Sequence, residues 1–204
     1  MLKRTERGDT LIEVLFAVTV FSLIVVGSLA LMNQGLAASQ RAIEISQVRA
    51  EIDGQAEALR FVHDSYVAVY EQGINGATLT GPARQWYNII TSSSVSAASE
   101  FGNTSATTCT TPPARSFVMD TKTSAYVSTP TLFNTQPATT AKLVYGGSGA
   151  LSRSEGLWVE AVRSPITTDA TGYVDFHIRA CWSAPGLDRP MTLGTIVRLY
   201  EPRN

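Results

Sequence analysis

The chain has 204 residues, 44% of them apolar, and a formal charge of −1. That is enough for one domain with a real core plus a membrane-length helix. The near-neutral balance offers no broad basic field to a phosphate backbone, so nucleic acid is not indicated as the principal partner.

The N-terminal stretch is the most informative. Lys3, Arg4 and Arg7 precede Gly8-Asp9-Thr10-Leu11-Ile12-Glu13, and an apolar run from Val14 to Met32 follows, broken only by Thr19, Ser22 and the pair Gly27-Ser28. As a helix this run spans about 28 Å, roughly one hydrocarbon core. No basic residue follows until Arg41. The asymmetry places the N-terminus in the cytoplasm and sends the rest outward. Glu13 stands at the edge of the run, where a carboxylate is costly and needs a partner. An ordinary secretory signal has a shorter apolar core, and Ala37-Ala38-Ser39 is only a weak cleavage site for one.

Gly8 followed by Asp9-Thr10-Leu11-Ile12-Glu13 resembles the N-terminal signature of type IV prepilins and of type II secretion pseudopilins. Those proteins have a short basic leader ending in Gly, then usually Phe-Thr-Leu-Ile-Glu and a long apolar helix. Thr10, Leu11, Ile12 and Glu13 match in place and order, and Asp9 stands where the family usually has Phe. The resemblance covers roughly residues 1–35. It implies cleavage between Gly8 and Asp9 by a membrane prepilin peptidase, and N-methylation of Asp9. It also implies that Glu13 pairs with the terminal amine of a neighbouring subunit in a helical filament, with Ser22, Gly27 and Ser28 allowing close helix approach.

Beyond Leu36 the helix continues to about Tyr70, with no Pro and with Gly54 as its interior glycine. Ile45, Val48, Ile52, Ala56, Leu59, Val62, Tyr66 and Val69 recur at three or four and form a stripe that a sheet from the same chain would cover. Gly73-Ile74-Asn75-Gly76 ends it, and Gly81-Pro82 reinforces the break. Residues 83–90 read as a short helix or turn.

Residues 91–140 are rich in Ser, Thr and Ala and are interrupted by Pro112, Pro113, Pro130 and Pro137. Their scattered aromatics point to a partly packed loop region with one short strand near Ser116–Met119. Asn103-Thr104-Ser105 is a formal glycosylation acceptor of low specificity. From Ala141 strands follow: Lys142–Tyr145, a Gly146–Gly149 turn, Leu157–Arg163, Tyr173–Trp182 and Met191–Tyr200. Val174, Phe176, Ile178, Ala180 and Trp182 alternate with Tyr173, Asp175, His177 and Arg179, as in an antiparallel strand with one buried face.

The fold expected is α+β and pilin-like, with a long N-terminal helix packed on a C-terminal antiparallel sheet. Its segments are a leader at 1–8, a transmembrane and assembly helix at 9–35, an amphipathic continuation at 36–72, the Ser/Thr-rich region at 73–140 and the sheet at 141–204. Cys109 and Cys181 are the two cysteines, both in the part sent outward, where an oxidising compartment favours their pairing. His63 and His177 lack metal-ligand spacing, and Asp175 with His177 has no motif-marked nucleophile, so neither metal, cofactor nor catalysis is expected.

The function expected is that of a structural subunit, with the Ser/Thr-rich insertion and Asp9 favouring a minor pilin. Such a subunit is a single-pass protein of the bacterial inner membrane as a precursor and part of an extracellular filament when mature, serving adhesion, motility or DNA uptake. Its partners are other pilin subunits, the prepilin peptidase, the inner-membrane assembly platform and, before assembly, membrane lipid. A type II secretion pseudopilin and a single-pass anchored binding domain that never polymerises remain as alternatives.

Overall fold

The computed structural model describes residues 9–73, 76–98, 109, 112–133, 138–164 and 172–202. They form an α+β fold in which a long N-terminal helix, α1 (Asp9–Tyr70), lies with its later turns on a largely antiparallel sheet. Two compact units divide the chain, one ending at Ile43 and the other beginning at Glu44. The expected segment boundary at residue 35 falls inside one continuous helix.

In the second unit α1 buries the expected stripe. Val48, Ile52, Ala56, Leu59, Val62 and Tyr66 are buried, with Ile45 and Val69 packed at its ends. Fully burying an aliphatic or aromatic side chain stabilises a fold by about 1.5–3 kcal/mol, so this face holds the helix to the sheet. Arg49, Asp53, Glu57, Arg60 and Asp64 are exposed off the stripe. After Tyr70 the chain leaves the helix, and Gly73 takes a φ of 76°, which costs glycine little.

The short helix or turn expected at residues 83–90 is a helix, and Gly81-Pro82, which reads as part of the break, forms its first two residues. α2 (Gly81–Thr91) has Pro in its first turn, a position where the missing N–H costs nothing. It buries Ala83, Trp86 and Ile89. Trp86 meets Phe176 at 5.6 Å between ring centres, and Phe176 meets Phe117 at 6.3 Å. These rings form the centre of the core.

The main sheet runs β1-β6-β7-β8, with β1 (Val95–Ala97), β6 (Leu157–Arg163), β7 (Tyr173–Trp182) and β8 (Met191–Tyr200). It is antiparallel except at β1, which pairs parallel to the end of β6. Three residues in a Ser-rich stretch carry no periodicity, so β1 leaves no sequence signal. β7 shows the expected alternation: Val174, Phe176, Ile178, Ala180 and Trp182 are all buried towards the helices.

The Ser/Thr-rich region contains more structure than expected. The short strand near residues 116–119 is present as β2 (Val118–Asp120), with Phe117 just before it bridging Val159 of β6. β2 pairs with β3 (Ala125–Val127), an unforeseen partner. β4 (Lys142–Tyr145) forms a hairpin with β5 (Leu151–Glu155), also unforeseen because its Ser and Arg residues hide the strand pattern. Asn103-Thr104-Ser105 lies outside the described residues.

Candidate functional site

Two places carry the residues singled out by sequence. The first is the start of α1. Gly8 lies outside the described residues, Asp9 begins the helix, and Glu13 is exposed in its opening turns. From Leu11 to Leu36 the large apolar side chains face outward, with Phe16 70% and Leu23 72% exposed. Among the described residues this is one helix long and apolar enough to cross a membrane.

The polar side chains of this run are satisfied within the helix itself. Thr19 Oγ1 donates to the Phe16 carbonyl at 2.8 Å, Ser22 Oγ to Val18 at 2.7 Å and Ser28 Oγ to Ile24 at 2.7 Å. Where no water can reach, every donor must find such an internal acceptor. The segment's side chains and backbone therefore both fit a hydrocarbon surrounding.

The second place is the outer face of the main sheet, away from the helices. Cys109 and Cys181 form a disulfide there with their Cα atoms 5.1 Å apart. Cys181 falls on the outer side of β7 by parity, and the bridge with Cys109 buries it together with Trp158. The alternation of β7 continues Tyr173, Asp175, His177 and Arg179 to Cys181 on the wet face, and the bridge removes this cysteine from water.

Beside the disulfide, Trp158, Arg179, Thr192, Leu193 and Gly194 line an open cavity of about 330 Å³. Glu160 is buried at its edge, 3.3 Å from the Arg179 guanidinium and 3.4 Å from the Trp158 N–H. Burial pushes the Glu160 carboxyl up, against the pull of Arg179 and of the Trp158 hydrogen bond. His177 lies directly across from Glu160 in the sheet register. Burial lowers its pKa, Arg179 lowers it further, and Asp175 opposes both.

Asp175 is engaged elsewhere. Arg198 on β8 donates to both its oxygens, at 2.7 and 2.8 Å, and the guanidinium lies 3.9 Å from the Tyr173 ring centre. The carboxylate thus bears on two basic side chains of the sheet, bonded to Arg198 and acting on His177 through its charge. Among the described residues no cluster of His, Cys, Asp and Glu is placed to hold a metal ion.

The cysteines are thus brought together, whereas Glu13 belongs to the other unit. Sequence reasoning missed Gln55, whose side chain is fully buried and bonded to the backbone of Met119. A signal was available, since Gln55 stands three residues after Ile52 and four before Leu59, on the stripe itself. Glu51 does related work: its half-buried carboxyl, raised by burial, accepts the Leu143 N–H beside Lys142.

Compared with protein-family models, curated proteins and solved structures, the chain matches none of them.

Proposed function

We propose that this chain is a pilin-like structural subunit, most simply a minor pilin. It is cleaved after Gly8, anchored by the apolar part of α1 with its N-terminus cytoplasmic, and then drawn into a helical filament. The observation that carries this reading is the sequence Gly8-Asp9-Thr10-Leu11-Ile12-Glu13 leading directly into an exposed apolar helix. A membrane anchor alone needs the apolar run but has no use for a carboxylate at its front. In a filament, Glu13 offsets the positive amine that cleavage creates on the next subunit, and the pair fixes the axial step. Repetition of one helix against the next is a heterologous contact that does not close, as a filament requires.

Intact-mass spectrometry of protein recovered from sheared surface filaments tests the proposal. The expected mass begins at Asp9, gains one methyl group and lacks two hydrogens for the disulfide. An uncleaved mass confined to membranes overturns it and leaves an anchored extracellular domain. If deleting the chain stops enzyme export while surface pili persist, the filament is a type II secretion pseudopilus.

A further inference from the structure

The four-stranded sheet has two unequal edges. One ends in β1, three residues long, while the other is β8, ten residues paired without a bulge along one side only. Among the described residues no strand pairs with its far side. Exposed edges are normally blunted by Pro, Lys, bulges or short length. β8 has none of these, and its one charge, Arg198, is already held by Asp175.

Which backbone groups point outward can be read from one hydrogen bond. The Glu201 N–H donates to the Gly172 carbonyl at 2.8 Å, so these two form a hydrogen-bonded pair. Such pairs alternate along antiparallel strands, which turns the groups of Thr192, Gly194, Ile196, Arg198 and Tyr200 away from β7. Tyr200 agrees independently, because its carbonyl meets His63 Nε2 of α1 at 2.8 Å. Thr192, Gly194, Ile196 and Arg198 present their N–H and C=O groups at the edge, and all four residues are exposed.

We propose that this edge pairs antiparallel with β8 of a second copy, about a two-fold axis between the two Thr195 residues. In that register Thr192 faces Arg198 of the other copy and Gly194 faces Ile196, so the four residues satisfy one another's backbone groups completely. On the inner side Leu193 meets Val197, Met191 meets Leu199, and Thr195 meets Thr195. Apolar and Thr–Thr pairs of this kind stabilise a sheet, and no like charges are opposed. Arg198 comes to lie opposite a small hydroxyl, and Ile196, 60% exposed in the single chain, gains a covering strand. A ten-residue edge that is complementary to itself in length, charge and shape favours a second copy over an unrelated strand.

A two-fold axis perpendicular to a sheet reverses every direction within it. The α1 turns that lie on the sheet therefore run in opposite directions in the two copies. The contact joins subunits facing opposite ways. One consequence rests on the filament reading above: the contact links two filaments side by side and not neighbours within one.

The test uses the full chain in detergent, carrying Thr195→Cys or, separately, Ile196→Cys. Across a pair that is not hydrogen-bonded the Cα atoms are about 4.5 Å apart, within reach of a disulfide. Under mild oxidation Thr195→Cys should give a covalent dimer about tenfold faster than Ile196→Cys, whose counterpart is Gly194. Adding Ile196→Lys to Thr195→Cys should abolish the dimer, and an intact Cys109–Cys181 bridge reports that each variant is folded. Equal rates for the two cysteines mean random collision and overturn the proposal, as does a Thr195→Cys chain that stays monomeric. The cross-link requires neither cleavage after Gly8 nor a filament, so its failure leaves the filament reading standing.

Discussion

The side chain of Gln55 on α1 treats Met119 on β2 as a neighbouring strand would. Its Nε2 donates to the Met119 carbonyl at 2.7 Å, and the Met119 N–H donates back to Oε1 at 2.7 Å. Both residues are fully buried. One amide thereby satisfies two backbone groups of β2 that no strand among the described residues takes up, and it fixes the β2–β3 hairpin to the helix.

Replacing Gln55 with Leu keeps the volume but leaves both Met119 groups unpaired in the core. The expected cost is about 2–4 kcal/mol, since each buried unsatisfied group carries its own penalty. Urea unfolding of the detergent-solubilised chain, followed by tryptophan fluorescence, should show the lower midpoint. An unchanged midpoint would mean that water replaces the amide.

Removing the bridge by replacing Cys109 and Cys181 with Ala opens a closure with a sequence separation of 72. Loop entropy for that length predicts a loss of about 4 kcal/mol. Thermal melts of the oxidised chain and the double variant compare the two directly. Trp158 should also become more accessible to acrylamide quenching, because the bridge contributes its cover.

Acidification should weaken the fold through His177. Its folded pKa lies below its ordinary 6.5, so as pH falls through 6.5 the unfolded chain takes up a proton that the folded chain resists. Stability is therefore full above 6.5 and declines below it until the folded pKa is passed. Glu51 and Glu160 act in the opposite sense, since raised carboxyls add stability as pH falls through their folded values. The difference in melting temperature between the native chain and His177→Gln should narrow or change sign from about pH 7.5 to about pH 5.5. A constant difference across that range would rule out His177 as the source.

On the proposed filament reading, Glu13→Ala should leave cleavage after Gly8 intact while sharply lowering incorporation into filaments, because the helix would lose the charge proposed to set its register. Immunoblots of membranes and sheared filaments separate the two steps. Normal incorporation would remove the pairing role.

Long periodic elements were legible in the sequence. The α1 stripe and the alternation in β7 each extend far enough for burial to impress its period, and both are found as read. β1 and β3 are three residues each and take their conformation from long-range partners, so they leave no period to detect. Gly81-Pro82 reads as a break before a short helix or turn, and only the start of that helix differs, because Pro is accommodated in a first turn. Cys181 illustrates a different limit. Its parity was right, yet its burial depends on Cys109, 72 residues earlier in the chain. The Glu160–Arg179 pair and the Gln55–Met119 bonds were hidden for the same reason, as each joins elements whose register only the fold sets.

The hydroxyls of Thr19, Ser22 and Ser28 are spent on their own helix, which leaves Val14–Met32 chemically mute. A surrounding molecule meets mostly aliphatic and aromatic side chains, and from the three hydroxyls, whose donors are already engaged, only acceptor lone pairs. Against an apolar neighbour such a helix is guided by shape alone, through its ridges and the small residues Ser22, Gly27 and Ser28, and not by directional bonds. Polar groups with free directional capacity flank the run, the carboxylate of Glu13 before it and Asn33-Gln34 after it. The run is therefore held by shape along its length and by directional chemistry at its two ends.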